Sequence, residues 1–201
     1  MSAYNPELRT LDQLLFRRPP LWPPWPPSKA VPWGISLTTW SPWTHAGTVV
    51  KCRLHGSDVI RTCIFDAPGG YLDLRPLSAD IRRGAVIAVR RPLDGYTVDE
   101  QGVADFVWEN WGQRAYATVK MVNNLPVLVA GGANRPDPKD IPERFFCSEL
   151  NSCLLRRFGR TAAGAVIDPC PERADRYTAP AHIARSTRLR WLTQHLTTVN
   201  K

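Results

Sequence analysis

Short apolar and β-branched runs dominate the first half of the chain. Residues 48–54 and 59–67 form two such runs, and Gly56-Ser57 between them suits the two-residue turn of a tight hairpin. Residues 71–75 alternate between apolar and polar positions, and residues 85–89 have the composition of a short buried strand. The pattern predicts an antiparallel sheet of about four or more strands.

The second half of the chain has a helical period instead. Thr97-Val98-Asp99-Glu100 reads as a capping box that begins a helix ending at Gly112, and residues 115–129 predict a second helix. A third helix begins near Cys147 and stops at Gly159, and residues 178–196 predict one or two short amphipathic helices. The predicted fold class is therefore α+β, with an antiparallel sheet packed against helices.

A segment rich in proline and tryptophan separates the N-terminus from these elements. Proline lacks the backbone donor and fixes φ, so residues 17–43 are expected to form neither a helix nor a central strand. The five tryptophans in this segment carry large apolar surfaces that favour packing against a partner over a solvated linker. We therefore divide the chain into an arm, residues 1–33, and one domain, residues 34–201; the arm packs on its own domain or docks into another protein.

Composition narrows the class of protein. The 201 residues, 43% of them hydrophobic, suffice for one domain with a full core. No apolar run reaches the ~18 residues of a membrane span, and the first residues lack the basic and apolar regions of a signal peptide. The expectation is a soluble protein, located in the cytoplasm or carried in a virion.

Charge and cysteine usage indicate which partners and ligands to expect. A formal charge of +8 favours acidic partners such as cell-wall polymer or an acidic protein face. The arginines are scattered without a nucleic-acid-binding motif, so nucleic acid is a disfavoured partner. The five cysteines show no paired spacing typical of zinc sites or disulfide frameworks, which predicts reduced thiols and no metal site.

Cys147 is the candidate nucleophile. In the first turn of a helix, backbone amides and the positive helix end favour a thiolate and can hold a developing oxyanion. The alternative is a buried cysteine that only packs in the core.

His45, followed by small residues at the start of a strand, is the candidate base. If Gly56-Ser57 forms the turn, residue 47 pairs with residue 66, and Asp66 lies diagonal to His45 on one sheet face. A carboxylate there would fix the imidazole tautomer and stabilise the imidazolium. The alternatives are a structural histidine, an Asp66 that only begins a turn, and a pairing of Cys147 with His182 instead.

Thr44-His45-Ala46-Gly47, then Asp66, then Phe146-Cys147-Ser148-Glu149-Leu150 together resemble the circularly permuted NlpC-type branch of the papain-like superfamily, the YiiX/YebB-like amidases and peptidases. The resemblance covers roughly residues 34–190. Thr44 stands where this branch usually has serine, and Asp66 where glutamate is commoner.

The resemblance implies a permuted papain-like fold with the nucleophile at a helix N-terminus. It implies acyl transfer by Cys147, with His45 as base and then acid and Asp66 orienting His45, and it requires no cofactor. Residues expected near the substrate are Trp43, Tyr116, Ser148 and Glu149. The implied substrate is a peptide, such as a cell-wall peptide with a γ-glutamyl-diamino-acid linkage.

Two other functions stay open at the level of sequence. The domain could be a structural component of a virion or phage tail that docks through its arm, a role compatible with wall hydrolysis. It could also transfer lipid acyl groups, since the lecithin:retinol acyltransferase relatives place histidine before cysteine in the same order.

Overall fold

The structure is a computed structural model, and it describes residues 7–17, 39–53, 58–69, 71–83, 85–93, 95–112, 145–173, 175 and 178–196. Its fold class is α+β: a mostly antiparallel sheet packs against a few helices. The strands and helices, numbered in chain order, are β1 Gln13–Arg17, β2 Trp43–Arg53, β3 Ile60–Gly69, β4 Tyr71–Pro76, α1 Leu77–Arg82, β5 Val86–Pro92, β6 Thr97–Val98, α2 Glu100–Asn110, α3 Cys147–Phe158, β7 Gly159–Arg160, α4 Pro180–Arg185 and β8 Leu189–Thr193. No helix among the described residues is long and apolar enough to cross a membrane.

Six strands form the main sheet, in the order β4-β3-β2-β1-β5-β8, and every pair is antiparallel. The predicted register of β2 and β3 is confirmed, because Gly47 pairs with Asp66 and Arg53 pairs with Ile60. The turn residues themselves, Gly56-Ser57, lie outside the described residues. The strands predicted at 71–75 and 85–89 are also present, as β4 and β5.

β1 is a strand that the sequence did not predict. It lies within the segment assigned to the arm, yet it pairs with β2 on one side and β5 on the other. Leu14 and Leu15 point to opposite faces, and both are fully buried. A strand that is buried on both faces shows no alternation, and the pattern therefore concealed it.

Two helix predictions need correction. The expected capping box does not form: Thr97 and Val98 belong to β6, and Asp99 caps α2 by accepting a hydrogen bond from the Gly102 amide at 2.9 Å. Of the one or two short helices predicted in residues 178–196, one forms, α4, whereas residues 189–193 are the edge strand β8. The backbone of β8 forms hydrogen bonds with β5. A short helix without such a partner is only marginally stable. The helix predicted at 115–129 lies outside the described residues.

A core lies on each face of the sheet. On one face, Ala46 and Val50 pack with apolar residues of α2, α3 and α4; on the other, Val49 and Ile64 pack with Leu77 of α1. α3 is buried along almost its whole length, and its buried surface includes polar residues at its N-terminal end. The helix is therefore held where its first residue meets β2.

Candidate active site

Cys147 is the first residue of α3, as predicted. Phe146 precedes it in extended conformation and provides no side-chain cap for the amides of the first turn. The Cys147 side chain is only 1% exposed. The His45 side chain and the backbone N–H of Ala46 lie close enough to its sulfur to lower the pKa of the thiol.

His45 lies in β2 beside an irregularity of the sheet. The pairing of β1 with β2 advances from Phe16 opposite His45 to Arg17 opposite Trp43, which leaves Thr44 as an extra residue. Bulges of this kind re-aim neighbouring side chains and are frequent next to active sites. The His45 ring contacts the Phe16 ring, with 5.4 Å between centroids, and its Nε2 lies 2.8 Å from Oδ2 of Asp66. Because Nε2 is engaged by Asp66, Nδ1 is the nitrogen left for Cys147.

Asp66 is fully buried and has a second partner that the sequence analysis missed. Arg75 of β4 donates to both of its carboxylate oxygens, from Nη1 to Oδ1 at 2.6 Å and from Nη2 to Oδ2 at 2.8 Å. The same arginine bonds Asp80 through Nε at 2.9 Å and Asp73 through Nη1 at 3.2 Å. A two-pronged bond of this kind fixes the orientation of a carboxylate as well as its charge. Arg75 is therefore a positioning residue for Asp66.

Gly47 provides the space in which His45 and Asp66 approach each other. A Cβ at this position would lie 2.4 Å from Cδ1 of Ile64 and 3.2 Å from Cβ of Asp66. Any other residue would therefore displace Ile64 or Asp66. This explains why the residue two positions after His45 is a glycine.

The electrostatics of the three side chains favour an ion pair. Burial would lower the pKa of His45, but the negative charges of Cys147 and Asp66 and their hydrogen bonds raise it to about 10. Burial would raise the pKa of Cys147, but the charge and hydrogen bond of His45 and the Ala46 amide lower it. Burial likewise opposes ionisation of Asp66, while His45 and Arg75 lower its pKa. Each group thus favours the charged form of the other, thiolate at Cys147 and imidazolium at His45.

Because Cys147 and His45 form a pair, we expect the free energy of unfolding to be independent of pH over a defined range. The raised pKa of His45 contributes stability that is present below its ordinary value of 6.5 and is lost as the pH rises toward about 10. The lowered pKa of Cys147 contributes stability that is present above its ordinary value of 9.0 and is lost as the pH falls. Between these ordinary values the two slopes cancel, so we expect constant stability there from this pair.

The measurement is urea unfolding across this pH range in the wild type and in Cys147→Ser, which cannot form the thiolate. In the variant the thiolate no longer raises the pKa of His45, so that only Asp66 opposes the effect of burial, and no thiol titration compensates that of His45. We therefore expect the stability of the variant to change with pH where that of the wild type is constant. Parallel pH profiles for the two proteins would contradict the ion pair. The comparison uses the difference in slope, so a constant cost of the substitution does not affect it.

The residues predicted near the substrate occupy different environments. Trp43 is half-buried and packs on Trp191, with 6.1 Å between ring centroids. Ser148 and Glu149 are buried, and the Ser148 hydroxyl donates to the carbonyl of Thr178 ahead of α4. That bond favours a structural role for Ser148. Tyr116 lies outside the described residues.

The other cysteines differ from Cys147 in their electrostatics. Burial raises the pKa of Cys153 to about 12 and that of Cys170 further, and Cys153 packs in the core as predicted. Cys52 and Cys63 lie diagonally across β2 and β3, and their interaction lowers the pKa of Cys52 and raises that of Cys63. No histidine is among the groups that shift the pKa of these four thiols.

His182 is not the partner of Cys147 in this structure. Its Nδ1 accepts a hydrogen bond from the Ala179 amide at 2.9 Å, which makes it the neutral tautomer with the proton on Nε2. Burial, Arg173 and Arg185 lower its pKa to about 4. The described residues thus bring Cys147, His45 and Asp66 together and keep His182 apart from them.

No protein-family model matches this sequence, and comparison with curated proteins finds no significant relative.

Proposed function

We propose that this chain is a cysteine-nucleophile amidase or peptidase that acts by acyl transfer. The observation that carries the proposal is the juxtaposition of three side chains: Cys147 at the first position of a helix, His45 beside it, and Asp66 hydrogen bonded to His45. A buried structural cysteine requires neither a histidine nor a carboxylate behind it. The lowered pKa of Cys147 beside the raised pKa of His45 is the activation that a thiol nucleophile needs.

The reaction begins with the thiolate of Cys147. It attacks the carbonyl carbon of the scissile amide, and a C–S bond forms while the carbonyl oxygen takes up the negative charge. Collapse of this intermediate breaks the C–N bond, and the His45 imidazolium gives its proton to the departing amine. The product of this half-reaction is a thioester on Cys147 and a neutral His45.

Water completes the cycle. His45 removes a proton from a water molecule, whose oxygen attacks the thioester carbonyl, and the C–S bond breaks to release a carboxylic acid and regenerate the ion pair. Asp66 holds the ring so that Nδ1 faces the sulfur throughout, and Arg75 holds Asp66. The backbone amides at the N-terminal end of α3 are the donors proposed for the oxyanion.

We also propose that the fold is the permuted papain-like arrangement. The strand that carries His45 precedes the helix that carries Cys147 in the chain, and α3 packs against β2 so that the helix N-terminus meets this strand. This order matches the resemblance drawn from the short sequence motifs. The fold proposal therefore stands on two independent features, chain order and site geometry.

The proposed substrate is a cell-wall peptide, and digestion of purified peptidoglycan tests it. We expect the wild type to release fragments whose masses correspond to hydrolysis of one kind of amide bond, and Cys147→Ala to release none. Release by Cys147→Ala at the wild-type rate would contradict the mechanism. An intact wall with both proteins would refute the wall substrate and favour the structural role in a virion or tail.

A further inference from the structure

A cleft lies beside α4, separate from the candidate active site. It is a cleft of about 590 Å³, within the range of small-molecule sites, and it lies between the segment that precedes β2, the segment around residue 171 and the residues that follow α4. Cys147, His45 and Asp66 do not line it. The cleft is therefore not the site of the chemistry described above.

The charged side chains that line this cleft are mostly positive. Arg173, Arg185 and Arg188 line it, and Glu172 is the only acidic residue among the lining residues that the structure describes. With His182 neutral, three arginines against one glutamate give the lining a formal charge of +2. Guanidinium groups donate several N–H bonds in a fixed geometry that matches phosphate and carboxylate oxygens.

Hydrogen bonds within the protein orient two N–H donors of the cleft, the side chains of Arg185 and His182. Arg185 uses only Nη2 in its bonds to the carbonyls of Thr39 and Trp40, so its Nε and Nη1 have no partner among the described residues. His182 accepts at Nδ1, so its Nε2–H remains to donate. The cleft thus offers a neutral N–H donor among three cations, which suits a ligand with more than two acceptor oxygens.

An exposed aromatic side chain forms one edge of the cleft. Trp40 is 85% exposed, and its φ of 48° places a bulky residue in the left-handed region of backbone conformation. Non-glycine residues in this region carry strain that the surrounding structure must support, and here Arg185 holds the carbonyl of Trp40 at 3.2 Å. An indole kept exposed beside cationic groups is suited to stack on a flat ring.

We propose that this cleft binds an organic phosphate monoester whose phosphate contacts Arg185, Arg188 and His182 and whose ring stacks on Trp40. A phosphate monoester carries a charge of about −1.5 to −2 at neutral pH and three terminal oxygens, which matches the charge of the lining and its number of donors. A carboxylate offers two oxygens and a single charge. The proposal does not depend on the hydrolase activity of Cys147.

Calorimetric titration of the full chain with phenyl phosphate tests the proposal at fixed ionic strength. We expect saturable binding that weakens about tenfold or more in Arg188→Ala, the size expected for loss of one charge-assisted hydrogen bond. Arg83→Ala is the matched control, because Arg83 is an exposed arginine at the end of α1 and does not line the cleft. Its binding should equal that of the wild type.

Trp40→Ala and two further probes separate the parts of the ligand. We expect Trp40→Ala to weaken phenyl phosphate while leaving the weaker binding of inorganic phosphate unchanged. Absence of phenyl phosphate binding, or equal losses in Arg188→Ala and Arg83→Ala, would overturn the proposal. Benzoate binding as tight as phenyl phosphate would refute the assignment to phosphate.

Discussion

Replacing His45 by alanine is expected to slow alkylation of Cys147 by iodoacetamide at pH 6 by about two orders of magnitude. An ordinary thiol with a pKa of about 8.5 is less than about 1% thiolate at this pH, and only the thiolate reacts. In the wild type, His45 lowers the pKa of Cys147 against the effect of burial. Without His45 burial acts unopposed by that charge, so the reactive fraction should fall to that of an ordinary thiol or below. Mass mapping of the labelled cysteine measures the rate at each site.

His182→Ala is the matched control, since it removes the other histidine considered as a partner for Cys147. His182 accepts its hydrogen bond from the Ala179 amide at the N-cap of α4 and is not among the groups that shift the pKa of Cys147. We expect this variant to label Cys147 at the wild-type rate. Equal slowing in His45→Ala and His182→Ala, or none in His45→Ala, would refute the assignment of His45.

Because the Cys147 side chain is almost inaccessible, labelling depends on both its ionisation and its access. Ultraviolet absorbance of the thiolate depends on ionisation alone and therefore separates the two. The difference between the wild type and Cys147→Ala should show a thiolate well below pH 8.5. In the His45→Ala background the same difference should appear only at alkaline pH.

The core of the candidate site follows from local rules in the sequence. A two-residue turn fixes the parity of a hairpin, and the parity alone brings Asp66 to the face and the diagonal position of His45. The start of α3 at Cys147 follows from helix stop signals around residues 156–159 and a loop before it. Both features depend on residues close together in the chain.

Arg75 shows where a signal was present and was not used. Had the same pairing rule been applied to Gly69-Gly70, it would have paired residue 66 with residue 73 and residue 64 with residue 75, as the structure does. Arg75 would then have been expected on the face of Asp66. No such signal was present for β1 and β8. Both strands pair with β5, which is distant from them in the chain, and no local pattern encodes such contacts.

The proline- and tryptophan-rich segment shows what amino-acid composition does not predict. Whether its tryptophans pack on a partner stays a prediction, since residues 18–38 lie outside the described residues. Composition gave no sign that Gln13–Arg17, at its N-terminal side, would be an interior strand of the sheet. β1 lies between β2 and β5, so it supports the strand that carries His45. The N-terminal residues thus contribute to the site through the sheet.

Replacing Asp66 by alanine is expected to destabilise the protein by about 3–5 kcal/mol, the cost typical of removing one partner from a buried ion pair. Asp66 is fully buried, and its loss leaves Arg75 without its two-pronged partner and His45 without the carboxylate that raises its pKa. Urea unfolding measures the change. Asp73→Ala is the control, because Asp73 also bonds Arg75 but is partly exposed, and such pairs are worth about 0–1 kcal/mol.

A structural and a positioning role for Asp66 can be separated with Asp66→Asn, which keeps the size of the side chain and removes its charge. Loss of that charge lowers the pKa of His45 from about 10, so the imidazolium should lose its proton at a lower pH than in the wild type. The pH at which the His45 ring titrates, followed by the NMR signals of its ring protons, should therefore move to lower values, while Asp73→Asn leaves it in place. An unchanged His45 titration in Asp66→Asn, together with a stability loss below 1 kcal/mol in Asp66→Ala, would show that Asp66 neither supports His45 nor holds this part of the sheet.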